Sequence, residues 1–404
     1  MRSRSWSRQA ERHEGGAGAG AGQKGESDHD VVVVGGGVIG LSIAWRVAAR
    51  GRSVVVADPE PGSQASYAAA GMLAPVTEAT YGEEALLRLG LDSVERYPSF
   101  VQELEEASGV DTGFRTEGTL DVAFDADDVA VLDDLQRYQD SLGMHAERLG
   151  RRETRALEPM LAPSVRGGLY AADDRSIDPR RLCRALLAAA ERVGAEIRRE
   201  RVERLVVEHD EAAGVRLRGG HRLRAPQTVL AAGCWSDALD GIPPGVAPPV
   251  RPVKGQILRL RTDQTFVTHT VRGIVRGFSI YVVPRLDGEI VVGSTVEEMG
   301  FDTRVTAGGA WYLLRDAHEL LPGVTELELA EIHAGLRPGS PDNAPVIGPT
   351  SLPGLVAATG HFRNGVLLTP VTADSVSELL VDGTVPAVLR PFSAQRFEHE
   401  DTHV

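Results

Sequence analysis

The strongest hydrophobic signal in the chain is a run of four valines at residues 31–34, which follows a long polar stretch. A β-branched run without alternating polar positions is typical of a parallel strand that is buried on both faces. Apolar residues then recur at helical spacing between residues 39 and 47, and a second β-branched run occupies residues 54–56. The pattern therefore predicts a strand, a helix and a second parallel strand in succession.

Glycines fill the turn between the first strand and the helix, with Gly35, Gly37 and Gly40 at the fixed positions of a GxGxxG motif. Such glycines allow a tight turn, a close approach of the backbone to a pyrophosphate and close packing of the helix on the strand. Asp58, which ends the second strand, is expected to accept hydrogen bonds from an adenosine ribose. A second match at residues 20–25 has no strand before it and no helix after it. We therefore predict a dinucleotide site at the first match, for which NAD and FAD both stay open.

Later segments predict how the parallel sheet is completed. A helix is expected from Arg180 to Val193, followed by strands near residues 202–207 and 215–217. Residues 229–232, which are followed by Gly233, are predicted to form an apolar strand that returns the chain to the parallel sheet. The nucleotide-binding domain is therefore predicted to be discontinuous.

The middle of the chain has a different pattern. Residues 256–261, 279–284 and 289–294 are predicted strands, and residues 287–288 form a tight turn between the last two. This pattern indicates a mostly antiparallel sheet, which is typical of a substrate domain beside a nucleotide domain.

Two further segments bear on the choice between NAD and FAD. The small residues of the loop at 66–75 would let its backbone press against a flat ring system. Residues 355–368 predict a strand, a glycine turn and a helix from about Gly365. The N-terminus of that helix would face the electron-rich end of a flavin.

Composition and charge narrow the classes of partner. Of the 404 residues, 42% are apolar and 25% are charged, as in an ordinary globular protein. The net charge of −14 argues against nucleic acid or a membrane as the main partner, because both require a basic surface. Cys183 and Cys234 lack CxxC spacing and indicate neither disulfides nor a metal site, so we expect a cytoplasmic protein. Residues 1–29 lack the apolar core of a secretory signal and are predicted to form a flexible tail.

From about residue 30 to residue 397, the chain resembles the D-amino-acid oxidase family of FAD enzymes. The glycine-rich entrance is shared with many flavoproteins, so the resemblance depends on later motifs that occur together in the family's order. These motifs are AAAGMLAP (68–75), RPVKGQ (251–256), YVVPR (281–285), AGLRPGSPDNAPVIG (334–348) and GHFRNG (360–365).

The resemblance implies an α/β fold, with a Rossmann-like FAD-binding domain and a second, mostly antiparallel β-sheet domain for the substrate. Residues 30–105, 163–236 and 330–397 are assigned to the FAD-binding domain. Residues 106–162 and 237–329 are assigned to the substrate domain.

The resemblance also implies which residues contact FAD. The adenosine and pyrophosphate end is assigned to Gly35, Gly37, Val38, Ile39, Gly40, Asp58 and Pro59, with the backbone of Val202 at the adenine. The ribityl and isoalloxazine end is assigned to Ala65, Ser66, Ala70, Gly71, Met72, His361, Phe362, Arg363, Asn364, Gly365, Val366 and Leu367. The family more often has Glu where Asp58 stands, and Pro59 removes one backbone donor, so both departures concern cofactor affinity.

Two residues are assigned to catalysis and substrate binding by the same resemblance. Arg337 resembles the arginine that binds the substrate carboxylate, and a guanidinium offers the planar fork that such binding needs. Tyr281 assists across the site, and Arg363 lines the same cavity. The competing interpretations are a surface ion pair for Arg337 and a core aromatic for Tyr281. His361 is interpreted as packing against the flavin rather than as a general base, and no metal is implied.

Within the family, the resemblance is greatest to the enzymes that oxidise glycine for thiamine biosynthesis. It implies hydride transfer from the substrate Cα to the flavin, starting from the neutral amine, and reoxidation by dioxygen to hydrogen peroxide. The imine would hydrolyse to glyoxylate and ammonia. The family also implies a homo-oligomer, commonly a tetramer.

Three alternatives stay open from the sequence. The first is another oxidase or dehydrogenase of D-amino acids or N-methyl amino acids within the family. A sarcosine oxidase with flavin on a C-terminal cysteine is disfavoured, because the last cysteine is Cys234. The second is an NAD-dependent dehydrogenase that shares only the entrance motif, and the third is a nonenzymatic nucleotide-binding protein.

Overall fold

The computed structural model of the chain describes residues 26–397, within which 20 strands form four sheets and are joined by eight α-helices and short 3-10 turns. The strands are β1 (Glu26–Asp28), β2 (Val31–Val34), β3 (Val54–Ala57), β4 (Met72–Leu73), β5 (Thr119–Ala123), β6 (Glu147–Gly150), β7 (Gly167–Ala171), β8 (Arg175–Ser176), β9 (Glu196–Arg198), β10 (Val202–Glu208), β11 (Glu211–Leu217), β12 (Arg222–Arg224), β13 (Gln227–Leu230), β14 (Arg251–Arg261), β15 (Thr270–Val275), β16 (Phe278–Pro284), β17 (Glu289–Gly293), β18 (Glu328–Gly339), β19 (Val346–Pro349) and β20 (Leu355–Thr359). The helices are α1 (Val38–Ala49), α2 (Ala65–Ala68), α3 (Glu84–Ser108), α4 (Ala126–Ser141), α5 (Arg151–Leu157), α6 (Pro179–Arg192), α7 (Ala307–Leu320) and α8 (Thr369–Asp382).

The first sheet confirms the predicted nucleotide-binding architecture. Its six strands lie in the order β19-β20-β13-β2-β3-β9, and every neighbouring pair is parallel except β19 with β20. The predicted strand, helix and strand at the start of the chain correspond to β2, α1 and β3. The predicted strand at 229–232 corresponds to β13, which lies next to β2.

The valines of β2 are buried because the sheet is covered on both faces. Val31 and Val33 pack in one cluster with residues of α1, α6 and α8. Val32 and Val34 pack on the other face against residues of β10 to β12, such as Val215. Complete burial of one valine side chain stabilises the folded state by about 1.5–3 kcal/mol relative to leaving that side chain exposed. Burial on both faces therefore accounts for the unbroken β-branched run.

The second large sheet confirms the prediction of a mostly antiparallel substrate sheet. Its eight strands lie in the order β18-β14-β17-β16-β15-β5-β7-β6, and only β15 with β5 is a parallel pair. The predicted turn joins β16 to β17, and Gly288 has the positive φ of 82° that this turn requires.

Two of the predicted domain ranges disagree with the strand pairing. Residues 163–236 and 330–397 were assigned to the FAD-binding domain, yet β7 and most of β18 lie inside these ranges and belong to the antiparallel sheet. The cause is pairing across long sequence separations, since β18 pairs with β14 from Arg251 opposite Gly339 to Arg261 opposite Glu328. The residue pattern of each segment shows that it is a strand but does not specify which strand it pairs with.

The predicted flexible tail of residues 1–29 extends too far, because its last residues belong to a strand. Glu26–Asp28 form β1, which runs parallel to β12 at the edge of a small sheet in the order β1-β12-β11-β10. The backbone of these residues is therefore part of the fold, because the open edge of β12 provides hydrogen-bonding partners. Residues 1–25 lie outside the described part of the chain, and so does the second glycine motif at 20–25.

The last helix begins later than predicted. The sequence placed its start at about Gly365, whereas α8 begins at Thr369 and residues 365–368 are turns. Pro370 explains the difference, because proline has no N–H and is tolerated in the first turn of a helix but not in its interior. A helix from Gly365 would have placed this proline in its interior.

The helices pack on the parallel sheet and against one another. α1 contacts α6 and α8, and α3 lies across α6 and α8. Within residues 26–397, no helix combines the length and the apolar composition that a membrane crossing needs.

Candidate functional site

A cavity of about 1160 Å³ lies where the carboxyl ends of β2 and β3 meet the antiparallel sheet. This is larger than the usual small-molecule pocket of about 300–1,000 Å³. The carboxyl ends of parallel strands are where open α/β sheets bind their ligands. The cavity therefore has the position and the size for a dinucleotide together with a small substrate.

The glycine turn after β2 has the geometry that a dinucleotide cradle requires. Gly35 has a φ of 105°, and a Cβ atom on it would lie 2.7 Å from the carbonyl carbon of Ala231. Gly37 is the N-cap residue of α1. A Cβ atom on Gly40 would lie 3.1 Å from the carbonyl carbon of Gly35 and still closer to its oxygen. Side chains at Gly35 and Gly40 would therefore collide with neighbouring backbone atoms, so the tight turn and the close packing of the helix on the strand depend on these glycines.

Asp58 lies half-buried at the end of β3 and lines the cavity. Its Oδ2 atom accepts the Gly36 N–H at 2.7 Å, and its Oδ1 atom accepts the Glu60 N–H at 2.7 Å. These two bonds fix the carboxylate to the glycine turn. Because a carboxylate oxygen accepts more than one hydrogen bond, both atoms keep acceptor capacity for a ribose hydroxyl.

The small-residue segment after β3 is more ordered than a plain loop. It begins with the short helix α2 and continues through Ala70 and Gly71 into β4. The Ser66 hydroxyl accepts the Val38 N–H at 3.1 Å, which connects α2 to the first turn of α1. Gly71 has a φ of 74°, and a Cβ atom on it would lie 2.8 Å from the ring of Pro179.

Arg337 and Tyr281 come together in the part of the cavity wall that the antiparallel sheet forms. The Arg337 Nη2 atom donates to the Ser294 hydroxyl at 2.5 Å, and its Nη1 atom donates to the Thr295 carbonyl at 3.2 Å. Burial lowers the pKa of Arg337 from its usual range, and nearby Arg363 acts in the same direction while Tyr281 opposes it. Arginine stays charged under such a shift. The pair therefore presents a positive charge and a phenol to the cavity.

The position of Tyr281 depends on a glycine in the neighbouring strand. Tyr281 and Gly293 stand opposite each other in β16 and β17. A Cβ atom on Gly293 would lie 2.6 Å from the Cε2 atom of the tyrosine ring, so the ring lies across the space that this glycine leaves.

Arg272 and Glu78 line the cavity beside Tyr281, and neither residue was predicted from the sequence. Arg272 stands opposite Tyr281 in β15 and β16, and its Nη2 atom lies 3.8 Å from Glu78 Oε1. Strand alternation in residues 270–275 could have placed Arg272 on the face of Tyr281. Nothing in the pattern could have placed Glu78 there, because it belongs to a segment far away in the sequence.

His361 is almost fully buried in the cavity wall, with 3% of its surface exposed. Its Nε2 atom lies 3.2 Å from the Thr372 hydroxyl. Burial lowers the pKa of His361 to about 3, so the imidazole is neutral at physiological pH. The residue has the environment of a packing side chain.

Most of the residues assigned from the sequence line this one cavity. They are Gly35, Gly37, Val38, Ile39, Asp58, Pro59, Ala65, Ser66, Ala70, Gly71, Met72, Val202, Tyr281, Arg337, His361, Phe362, Arg363, Gly365 and Val366.

Three assigned residues lie outside the cavity wall. Gly40 is buried between α1 and β2, where it acts on packing alone. Asn364 and Leu367 line a small neighbouring cavity of about 30 Å³. Lys254, which received no role, is fully buried with its Nζ atom 3.5 Å from Glu297 Oε2.

The residues present fit FAD. The glycine cradle, Asp58 and the segment from Ala65 to Met72 line the cavity on the side of the parallel sheet. The antiparallel sheet contributes Arg337 and Tyr281 to the same cavity. The glycine cradle suits a pyrophosphate, and the segment of small residues suits a flat ring. The charge of Arg337 suits a small anionic substrate.

Comparison with known proteins agrees with this arrangement. The chain matches the DAO family, described as FAD dependent oxidoreductase, over residues 30–379. The bifunctional protein ThiO/ThiG of Trichormus variabilis is 34% identical over 373 residues, which are 92% of this chain and 55% of that protein. The chain thus spans about half the length of this curated relative.

Glycine oxidase of Geobacillus kaustophilus is similar over almost its whole length. It is 33% identical over 374 residues, which are 91% of this chain and 97% of that protein. A crystal structure of glycine oxidase from the same organism has a TM-score of 0.85 at 32% identity and covers 91% of this chain and 99% of that one. The matched residues include both sheets and the cavity between them, and the chain belongs to the DAO family of FAD-dependent oxidoreductases.

Proposed function

We propose that this protein is an amino-acid oxidase that deaminates glycine, with sarcosine and small D-amino acids as related substrates. The observation that carries the proposal is the half-buried guanidinium of Arg337 beside Tyr281 in the wall of a cavity that fits FAD. A substrate with a carboxylate and little else matches this charged part of the wall.

Arg337 is the group that binds the substrate carboxylate. Its guanidinium has a planar fork that matches the two oxygens of a carboxylate, and its Nη atoms donate to the Thr295 carbonyl and the Ser294 hydroxyl, which hold the fork in place. Holding the fork in place reduces the entropy that binding would otherwise cost. A pair formed in a buried site is also stronger than the same pair in water.

Tyr281 orients the bound amino acid from the side. Its hydroxyl lies close enough to Arg337 to oppose the lowering of the arginine pKa. With the carboxylate fixed by the arginine and the phenol, the substrate Cα has one orientation toward the flavin end of the cavity.

FAD, when bound, supplies the redox chemistry by accepting a hydride from the substrate Cα and passing the electrons to dioxygen. His361, which lines the cavity, is a poor proton acceptor, because burial lowers the pKa of its imidazole to about 3 and its Nε2 atom contacts Thr372. We therefore propose that the substrate reacts as the neutral amine. Glycine, dioxygen and water would then give glyoxylate, ammonia and hydrogen peroxide.

The names of the relatives support a place in thiamine biosynthesis. ThiO/ThiG of Trichormus variabilis is a bifunctional protein, and this chain matches about half of its length. We propose that the imine made from glycine is used for the thiazole ring when an accepting enzyme is present and hydrolyses otherwise. A homo-oligomer and a cytoplasmic location stay predictions, which size-exclusion chromatography with light scattering and cell fractionation test.

The visible spectrum of the purified protein tests the function. Anaerobic glycine should bleach a yellow preparation, and air should restore the colour with release of peroxide. The Arg337→Met variant, which keeps the bulk but lacks the charge, should stay yellow at the same glycine concentration. A yellow wild-type protein that glycine leaves unchanged while sarcosine or D-alanine bleaches it would contradict glycine as the substrate. A protein that no amino acid reduces would contradict the oxidase assignment.

A further inference from the structure

Three arginine side chains from distant parts of the chain converge on the backbone of residues 65–72, the segment that forms one wall of the cavity. The Tyr67 carbonyl accepts Arg180 Nε at 3.2 Å and Arg259 Nη2 at 3.1 Å. The Ala70 carbonyl accepts Arg285 Nη2. The segment is thus held from the side opposite the cavity.

Arg285 differs from the other two arginines in how its positive charge is compensated. Arg180 has a bidentate ion pair with Glu331, and Arg259 has an ion pair with Glu289. Arg285 is only 5% exposed and forms no ion pair with any carboxylate in the described part of the chain. Burial lowers its pKa to about 10, which leaves it positively charged at neutral pH. Its hydrogen bonds go to backbone carbonyls instead.

The two carbonyls that Arg285 holds belong to two segments that also pair with each other. Its Nη1 atom donates to the Ile177 carbonyl at 2.8 Å, and its Nη2 atom donates to the Ala70 carbonyl. The Ile177 N–H donates in turn to the Gly71 carbonyl at 2.9 Å. The guanidinium fork therefore closes a small ring of hydrogen bonds behind Ala70 and Gly71.

This ring fixes the direction of one peptide group. The C=O and N–H of a trans peptide point in opposite directions, so a carbonyl of Ala70 turned toward Arg285 turns the Gly71 N–H away from it. Ala70 and Gly71 line the cavity, whereas Arg285 does not. The N–H therefore points to the cavity side of the segment, where the resemblance places the flavin ring.

We propose that Arg285 is a positioning residue for the flavin, which presents the Gly71 N–H to the ring by holding the carbonyls of Ala70 and Ile177. The positive charge of Arg285 behind this peptide acts in the same direction, because it favours the extra negative charge of the reduced flavin. The proposal concerns FAD binding and holds whichever amino acid is the substrate.

The experiment compares Arg285→Met and Arg285→Lys with the wild-type holoenzyme. Arg148→Lys is the matched control, because Arg148 Nη1 also holds two carbonyls, of Leu149 at 2.9 Å and Gly168 at 2.8 Å, but at the far edge of the antiparallel sheet. The readouts are the FAD dissociation constant, the absorption spectrum of the bound flavin and its midpoint potential in a dithionite titration. None of these requires an amino-acid substrate.

We expect Arg285→Met to bind oxidised FAD about tenfold more weakly and reduced FAD about a hundredfold more weakly. The tenfold difference between the two forms lowers the midpoint potential by about 30 mV for a two-electron couple. Arg285→Lys, which keeps the charge but replaces the planar fork by a single nitrogen, should weaken FAD binding and shift the spectrum with a smaller change of potential. Arg148→Lys should match the wild type in all three readouts.

A variant that loses thermal stability yet binds FAD with the wild-type potential and spectrum would overturn the proposal, because a purely structural role predicts that result. If Arg285→Met does not fold, Arg285→Lys decides in the same way: wild-type FAD affinity and spectrum in this variant would overturn the proposal. Failure of glycine to reduce the wild-type flavin would instead affect only the proposed function.

Discussion

The guanidinium of Arg337 lies against Gly255 of the neighbouring strand, and a Cβ atom on that glycine would stand 2.6 Å from the arginine Cζ atom. The two residues belong to β18 and β14, which pair along their whole length. The absence of a side chain at Gly255 is therefore what allows the arginine to lie along the sheet toward Ser294 and Thr295.

Gly255→Ala should displace Arg337 without changing its charge. We expect the KM for glycine to rise about tenfold or more, because carboxylate binding depends on the placement of the fork, while FAD affinity stays the same. Steady-state peroxide assays measure the effect. Gly308→Ala is the control, since Gly308 also lines the cavity but a Cβ atom there meets nothing within 4 Å. Equal KM values for the two variants would contradict this view of the site.

Arg337→Lys should show that the shape of the cation matters and not only its charge. An ammonium cannot make the bidentate contact, so we expect kcat/KM for glycine to fall about 100-fold, which corresponds to about 2.7 kcal/mol. Arg363→Lys should have a smaller effect, because Arg363 is exposed at the cavity wall and has no comparable support. A similar loss of kcat/KM in both variants would indicate that Arg363 binds the substrate carboxylate as much as Arg337 does.

Asp58→Ala removes the acceptor for the N–H groups of Gly36 and Glu60. We expect the affinity for FAD to fall about 10- to 100-fold, because the glycine turn loses its support and the ribose loses its acceptor. Asp58→Asn keeps one carbonyl oxygen, so its affinity for FAD should lie between those of the wild type and Asp58→Ala. Titration of the apoprotein by flavin fluorescence quenching measures this order, and an affinity of Asp58→Ala equal to the wild type would contradict it.

The stability of the protein should fall in acid partly through His361. Its folded-state pKa is lowered to about 3, whereas an unfolded histidine titrates near 6.5. The unfolded state therefore binds a proton that the folded state does not, so this loss of stability begins as the pH falls below about 6.5 and ends near pH 3. At pH 5 it amounts to about 2 kcal/mol. Denaturant unfolding measures the free energy of unfolding at pH 7 and at pH 5. The difference between the two values should be smaller for His361→Gln than for the wild type, and an equal difference would contradict the assignment.

The flavin should be bound without a covalent link. Cys234 lines the cavity, but burial raises the pKa of its thiol to about 12, so no thiolate is available at neutral pH to attack the ring. Precipitation with trichloroacetic acid should leave a colourless pellet and a yellow supernatant. A yellow pellet in the wild type that becomes colourless in Cys234→Ser would show that this cysteine attaches the flavin.

Local chemistry explains which parts of the fold could be predicted. The valines of β2, the glycines at 35, 37 and 40 and the hairpin turn at Gly288 each carry their signal within a few residues. Burial on both faces, a positive φ and a close backbone approach restrict the residue types directly at those positions. The start of α8 was also encoded locally, in Pro370, although we placed it too early.

Contacts between distant segments account for what the sequence did not show. The assignment of β7 and β18 to the antiparallel sheet depends on partners far away in the chain. Arg272 and Glu78 reach the cavity through different elements, and Arg285 reaches Ala70 across 215 positions.

The sequence by itself thus determined the class of cofactor site, the kind of sheet on either side of it and the arginine that we propose to bind the substrate. Tertiary structure decided which face each of these residues presents and what holds it there. The reason is physical, since a strand pattern specifies which residues are buried but not against what they are buried. Arg337 is recognisable as an arginine in a motif, but only the pairing of β14 with β18 places it over Gly255.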